Sequence, residues 1–567
     1  MCQPLPHADP SPNKPSPNKQ PKALDCCQHY SSLSRTECAY PHLSQQDRDR
    51  EALYSLLTSH FPLRPLMRLF LLCLAAFLAN SLAPALAADP PRPNILLICV
   101  DDLKPLLGCY GNSTVKSPHI DRLAARGLTF DRAYTNQAVC SPSRNALMTG
   151  LRPGRLGIYD LATHFRLAAP DAITLPQHFK ASGWRAEGLG KIFHAGNGNH
   201  EDPISWSSPF FKGSAPTYLL PESEIADKTG KPAGPISKLS AKDPRGAAWE
   251  AADVPDDAYR DGQLATEAVA RLQSAAAHPD SPFFLAVGFL KPHLPFCAPK
   301  RYWDLYDRAA FPIASLTSLP VDAPAFAGHP SGELRRYSAI PDEGPLSPDL
   351  QRTLIHGYHA AVSYTDAMIG KVLDSLDALN LSDKTIVVLW GDHGWHLGDH
   401  GLWCKHSNYE QAARIPLIIA GPGIASGRSP ALVESVDLYP TLAALANLPA
   451  PKDLDGTSFA PTLRNPATPT KAHILHTFPR KNNLIGRALR TPQHRLVEWK
   501  IPGAPADSAQ CELYDYDADP SESRNLAPSQ PDTVAKLRAI LASSYPESKP
   551  QLKSPKPSRT PPTDPED

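Results

Sequence analysis

The sequence predicts an α/β protein with a doubly wound, mostly parallel sheet and a smaller α+β domain at its C-terminal end. Three observations predict it. Residues 94–100, 283–289, 384–390 and 415–420 are apolar runs without polar alternation. Such runs fit strands buried on both faces, as in sheets covered by helices on either side. Between them lie patterns of helical period, at 119–126, 350–379 and 436–448. Buried strands alternating with helices are the mark of βαβ architecture. After about residue 450 the character changes to short strand-like pieces (496–499 and 512–514) with a helical pattern at 533–543.

Taken in order, the first run, Asn94 to Val100, is followed at once by Asp101 and Asp102. Ser117 before Pro118 caps a helix that stops at Gly127. The run at 283–289 leads into Lys291-Pro292-His293, and the run at 384–390 ends in Gly391-Asp392-His393. In doubly wound sheets the binding crevice lies at the carboxyl ends of the strands. Asp101, Asp102, His293, Asp392 and His393 are therefore expected on one rim.

Composition narrows the function. The chain has 567 residues with 57 basic against 57 acidic side chains, 42% hydrophobic and 20% charged. That is ordinary globular composition, and it lacks the basic excess of a nucleic-acid binder. An anionic substrate is compatible with it, since a few cations in one pocket suffice. Residues 67–87 have the form of a secretory signal peptide: Arg68, a short apolar run, then Ala85-Leu86-Ala87 before Ala88. The run is too short to span a bilayer. Residues 1–66, which precede it, are expected to be a mis-assigned upstream extension or disordered. The expected organisation is a catalytic α/β domain over 92–450, the α+β domain over 451–545 and a disordered Pro-, Lys- and Ser-rich tail over 546–567. A periplasmic or secreted location follows, without a stable membrane anchor: Cys73 lies inside the apolar run and not beside the cleavage point. Cys99, Cys109, Cys140, Cys297, Cys404 and Cys511 remain in the exported chain, with no C-x-x-C pairing.

The segment Val139-Cys140-Ser141-Pro142-Ser143-Arg144, followed by Met148-Thr149-Gly150 and Arg152-Pro153, resembles the signature of the formylglycine-dependent (type I) sulfatases. The resemblance runs from Pro93 to about Leu526. Val100-Asp101-Asp102-Leu103, Gly190-Lys191-Ile192-Phe193-His194, Lys291-Pro292-His293 and Gly391-Asp392-His393-Gly394-Trp395 carry it, with Glu512-Leu513-Tyr514-Asp515 later. It is closest to the iduronate-2-sulfatase-like branch. It implies an alkaline-phosphatase-like sandwich and a sulfuric ester hydrolase acting on a sulfated sugar, with a 2-O-sulfated uronate as the leading guess. It also implies a partner, the formylglycine-generating enzyme, that oxidises Cys140.

By the same resemblance Asp101, Asp102, Cys140, Asp392 and His393 hold the metal. Calcium is favoured by the resemblance; carboxylates plus imidazole would equally accept manganese or zinc. Arg144, four residues beyond Cys140, fits the same side of a helix starting there and steadies the formylglycine. Lys191 and His194, spaced i,i+3, face one site if their turn is helical, one on sulfate and one on the hydrated aldehyde. His293 and Lys405 resemble the pair that meets the bridging oxygen. His293 is the favoured acid, because histidine ordinarily titrates near neutrality. Trp395 is expected as an apolar wall for a sugar ring, and Arg480 and Lys481 as cations for a substrate carboxylate. Two other readings stay open: a formylglycine-dependent phosphodiesterase or phosphonate hydrolase of the same superfamily, and an inactive exported carbohydrate-binding relative.

Overall fold

The computed structural model describes residues 92–224, 245–545 and 547–552. The expected signal segment and upstream extension lie outside these. The central sheet is built on four parallel strands: β1 (Asn94–Val100), β2 (Arg185–Gly190), β3 (Phe283–Phe289) and β4 (Thr385–Gly391). Their order is β2-β3-β1-β4. Beyond β4 the sheet turns antiparallel through Leu417–Ala420 and then Gly127–Tyr134, and Gly427–Glu434 pairs in parallel with that last strand. The sheet is thus mixed, with its parallel part in the middle.

Every residue of β1, β3 and β4 is buried, which explains why their sequences do not alternate. Leu96, Ile98 and Val100 enter one core, covered by helices Pro118–Arg126, Arg260–Ala276 and Pro348–Ala378. Ile95, Leu97 and Cys99 enter the other, under helices Cys140–Thr149, Leu175–Ala181 and Leu438–Leu445. Each buried aliphatic side chain contributes about 1.5–3 kcal/mol. One-residue slippage would exchange the two cores, so the register is firmly set.

Helix Pro118–Arg126 begins one residue before the expected run at His119, and Ser117 does not cap it. The Ser117 hydroxyl instead accepts from Gly108 N at 3.0 Å. Asp366, on the long helix, takes the first-turn amides of His119 (3.2 Å) and Ile120 (2.7 Å). The cap is supplied across the core, a contact that local sequence cannot reveal.

The C-terminal sheet is antiparallel: Ile474–Pro479, Ile485–Arg490, His494–Lys500 and Gln510–Asp515, in that order. Helix Pro531–Ser544 covers one face through Leu537 and Leu541. Trp499 and Tyr514 on the other face pack against Leu402 and Tyr409. Both sheets belong to one compact unit. Residues 547–552, expected in a disordered tail, instead run along the catalytic part. Lys549 N donates to Gly154 O at 2.9 Å and Leu552 N to Gly157 O at 2.7 Å. The six cysteines of the described residues form no disulfide.

The ends of the parallel strands are level, because Val100 pairs with both Phe289 and Gly391, and Gly190 with Gly288. Gly190 has φ of +74°, and a Cβ on Gly288 would meet Lys191 O at 2.0 Å. This close approach turns the chain toward the site. Gly288→Ala should therefore lower stability by about 1–3 kcal/mol, read as a drop of the thermal midpoint. Gly332→Ala, where the added methyl meets nothing within 4 Å, should leave the midpoint unchanged.

Candidate active site

The four level strand ends deliver the polar residues. Asp101 and Asp102 leave β1, Lys191 leaves β2, Lys291 and His293 follow β3, and Asp392 and His393 follow β4. Asp102 is held in the left-handed region at φ 59°, a conformation costly for a residue with a side chain and common at functional sites. Tyr358 of the long helix keeps it there: its hydroxyl donates to Asp102 O (2.8 Å) and accepts from Lys104 N (3.0 Å). The turn after β3 is shaped by Asp261, whose carboxylate accepts from Leu290 N and Lys291 N, both at 2.9 Å.

Cys140 is the first residue of helix Cys140–Thr149, all ten of whose residues are buried. Its sulfur lies 3.4 Å from His393 Nε2. Arg144, one turn on and fully buried, donates from Nε to Asp392 Oδ2 (3.0 Å) and from Nη2 to Asp101 Oδ1 (3.2 Å). Its remaining nitrogen reaches the carbonyl of Lys191. The helical placement expected for the Cys140–Arg144 pair is thus realised. The helical turn expected for Lys191 and His194 is not: this segment is an irregular bend, fixed by Lys191 N donating to Gly288 O at 2.9 Å. Both residues still reach the site. Lys191 Nζ sits 2.7 Å from Asp101 Oδ2, and His194 lines the pocket over Cys140.

Ligand atoms of Asp101, Asp102, Cys140 and His393 lie within 4.8 Å of one another, all buried. Asp392 stands beside this group. Its Oδ1 accepts from Asp102 N (3.0 Å) and His393 N (2.9 Å), and its Oδ2 lies 3.6 Å from His393 Nε2. Burial raises the Asp101 carboxyl, but Lys191 and Arg144 outweigh it and hold it well below the usual carboxylate range. Burial pushes the Asp392 carboxyl up to about 7, with the Asp101 charge adding to it. Burial also lowers His393 to about 4, leaving a neutral imidazole suited to a cation. Such a buried set of hard oxygen donors plus one imidazole fits a divalent metal. Burial, with Asp101 next, pushes the Cys140 thiol well above its ordinary range. An unmodified Cys140 is therefore a protonated, poor nucleophile.

Above this floor, Lys405 Nζ bridges outward. It lies 3.1 and 3.3 Å from the two Asp102 carboxylate oxygens and 2.9 Å from Glu333 Oε1. Burial opposes its charge, yet Asp102 and the neighbouring acids raise it well above its ordinary range. His293 Nε2 is 3.2 Å from the same Glu333 oxygen and 3.9 Å from Asp102 Oδ2. Lys405 sits between two residues of positive φ, Cys404 (71°) and His406 (42°), so its backbone is set by an unusual turn. The pocket opening onto Cys140 is completed by His406, Asn197, Arg245 and Arg336.

Three expected substrate residues lie elsewhere. Trp395 is 1% exposed, stacked on Tyr358, with Lys405 Nζ 5.0 Å above its ring. It supports Lys405 from beneath and offers no wall to a sugar. Arg480 spends its guanidinium on backbone carbonyls: Phe326 and Ala327, each at 2.6 Å, and His406 at 3.0 Å. It buttresses the His406 turn. Lys481 is exposed on the turn Lys481–Asn483. The cations that do line the pocket, Arg245 and Arg336, and the acid Glu333 were missed by sequence reasoning. Their signal was faint: Glu333 to Arg336 fall in the Pro- and Gly-rich connection after β3, and connections at strand carboxyl ends form the rim in this architecture.

The comparisons with known proteins agree with this geometry. The family described as "Sulfatase" matches residues 93–448, and the C-terminal part of N-sulphoglucosamine sulphohydrolase matches residues 398–545. Iduronate 2-sulfatase of Mus musculus is 37% identical over 74% of this chain and 79% of its own length. The structure of BT4656 with its substrate D-glucosamine-2-N,6-O-disulfate aligns with TM-score 0.64 and 20% identity, over 82% of this chain and all of that one. A phosphonate monoester hydrolase from Silicibacter pomeroyi aligns at TM-score 0.61 and 21% identity, over 83% and 99%. At such identities these two likenesses speak for the fold alone, the alkaline-phosphatase-like sandwich. With the signature around Cys140, the matched family and the site in register, the chain belongs to the sulfatase family, as an enzyme of its iduronate-2-sulfatase-like branch.

Proposed function

We propose that this sulfatase hydrolyses a sulfate ester of a sugar, a 2-O-sulfated uronate being the substrate class, using formylglycine made from Cys140 and a bound calcium ion. The observation that carries the reading is the buried cluster of Asp101, Asp102, Cys140 and His393 under a pocket lined by Arg245, Arg336, Lys405 and His293. The mouse relative, named iduronate 2-sulfatase, supports the uronate. The form of residues 67–87 supports export to the periplasm or beyond, and no helix of the described residues is long and apolar enough to cross a membrane. The maturing partner is the enzyme that oxidises Cys140.

The cation, once held by Asp101, Asp102 and His393, would polarise a sulfuryl oxygen. The hydrated aldehyde of formylglycine offers two hydroxyls at one carbon where a thiol offers a single sulfur. The chain's own groups do the rest. Arg144 locks the Asp101 and Asp392 carboxylates so that they need no rearrangement when charge develops. Lys405 and His293 approach from the outer side, where the ester oxygen departs, and His293 hands its proton to the leaving alcohol. Arg245 and Arg336 draw a second anionic group to the mouth.

A second reading, a phosphonate or phosphate ester hydrolase, is favoured by the fold shared with the Silicibacter pomeroyi enzyme. Paired sulfate and phosphonate esters of one alcohol separate the two by the inorganic ion released. Co-expression with a formylglycine-generating enzyme, followed by peptide mass spectrometry, should find the aldehyde at position 140. Sulfate release should fall at least tenfold on chelation and return with calcium. A thiol at 140 despite a working partner would end the formylglycine reading. Arg336→Ala should raise KM for a sulfated uronate at least about tenfold, the loss of one charge-assisted contact. Arg480→Ala should lower the thermal midpoint more than it moves KM.

A further inference from the structure

The pocket is built for an anion, yet one of its walls is an acid. Among the residues lining it, Glu333 is the single carboxylate, set among Arg245, Arg336, Lys405 and the histidines. Placed there, it repels any sulfate. Neutralising Lys405 does not account for it, because Asp102 already meets that ammonium with both oxygens. Burial raises the Glu333 carboxyl, but Lys405 and His293 outweigh it and hold it well below its ordinary range. The charge is permanent at neutral pH.

Its position indicates what it serves. Lys405 spans Asp102 on the floor and Glu333 on the wall, and His293 Nε2 lies between the same two carboxylates. Glu333 is therefore one side chain further out than the ester oxygen, at the depth of the alcohol's carbon skeleton. Oε1 is taken by Lys405 and His293. Oε2 is buried and accepts no hydrogen bond; His406 Nε2, on an imidazole that burial keeps neutral, is 3.8 Å away. The supporting loop is braced: Trp403 N donates to the Ser331 hydroxyl and Ser331 N to His329 Nδ1, both at 3.1 Å. A fixed, ionised oxygen with acceptor capacity left over calls for a donor from the ligand.

We propose that Glu333 determines leaving-group specificity: its Oε2 accepts a hydrogen bond from a hydroxyl beside the sulfated carbon, so that polyhydroxylated esters are selected over esters without that hydroxyl. The proposal rests on the sulfatase reading and deepens it. No bond is made or broken by Glu333; it binds and orients the departing alcohol.

The test compares matured wild type, Glu333→Gln and Glu333→Ala on a sulfated monosaccharide and on 4-nitrophenyl sulfate, with thermal midpoints recorded for each. The ratio of kcat/KM for sugar over aryl ester should fall at least about 30-fold in Glu333→Ala, as when a site built for a hydroxyl loses its partner. Glu333→Gln, which keeps an amide oxygen, should fall between. The same sugar sulfate lacking the neighbouring hydroxyl should lose a like factor against wild type and nothing further against Glu333→Ala. A parallel loss on both esters would make Glu333 merely structural and overturn the proposal. So would an unchanged ratio, or a deoxy ester that suffers equally in both proteins. If wild type cleaves no sulfate ester while cleaving a phosphonate, the sulfatase reading itself fails, and this inference with it.

Discussion

The structure depends on one buried cation. Arg144 is fully enclosed and bonds two carboxylates at once, Asp101 at the end of β1 and Asp392 at the end of β4. It rises from the helix that Cys140 begins, so a single guanidinium fixes that helix to the two central strands. An isolated charge in such surroundings is prohibitive, and removing one partner of a buried pair costs about 3–5 kcal/mol. The arrangement persists because all three members are present. Its planar fork meets two carboxylates in a way a lysine does not.

From that fork the site grows outward in alternating charge. Asp101 is met by Lys191, Asp102 by Lys405, and Lys405 by Glu333. Acid and base thus alternate from the floor to the wall of the pocket, where Glu333 keeps one oxygen without a hydrogen bond. The same alternation explains why the pocket attracts anions without collapsing under its own repulsion. Rigid elements hold the pattern: level strand ends on one side, the Tyr358 hydroxyl and the Asp261 carboxylate behind the turns on the other.

Much of this was legible in the chain. The unbroken apolar runs announced strands covered on both faces, and the polar pairs directly after Val100 and Gly391 announced the rim. Residues with a fixed spacing from a motif, such as Arg144 from Cys140, were readable because a helix translates spacing into direction. Groups brought in by long connections were not. Trp395 belongs to a recognisable segment, yet only packing against Tyr358 decides that it turns inward. Arg480 looked like a free cation because its backbone partners, Phe326, Ala327 and His406, lie far away in sequence. Glu333 sits in a connection without period and Arg245 opens a strand of three residues, too short for sequence to carry directional information. The Asp366 cap was hidden for the same reason: its partners lie about 247 residues away.

The burial of the nucleophile helix carries a consequence for the order of events in the life of the protein. Cys140 is 2% exposed, and its neighbours Ser141, Ser143 and Arg144 are wholly enclosed. A modifying enzyme must take hold of several consecutive residues around its target, and the finished fold presents none of them. If Cys140 is matured as proposed, oxidation and folding compete for the same segment. The carboxylates that close over it arrive late, Asp392 roughly 250 residues after Cys140 and the strap at residues 547–552 later still. On that reading the long interval is the time in which a maturing enzyme would reach Cys140 before the fold closes. A chain that folds first becomes a well-packed protein with a thiol that no protein partner can reach.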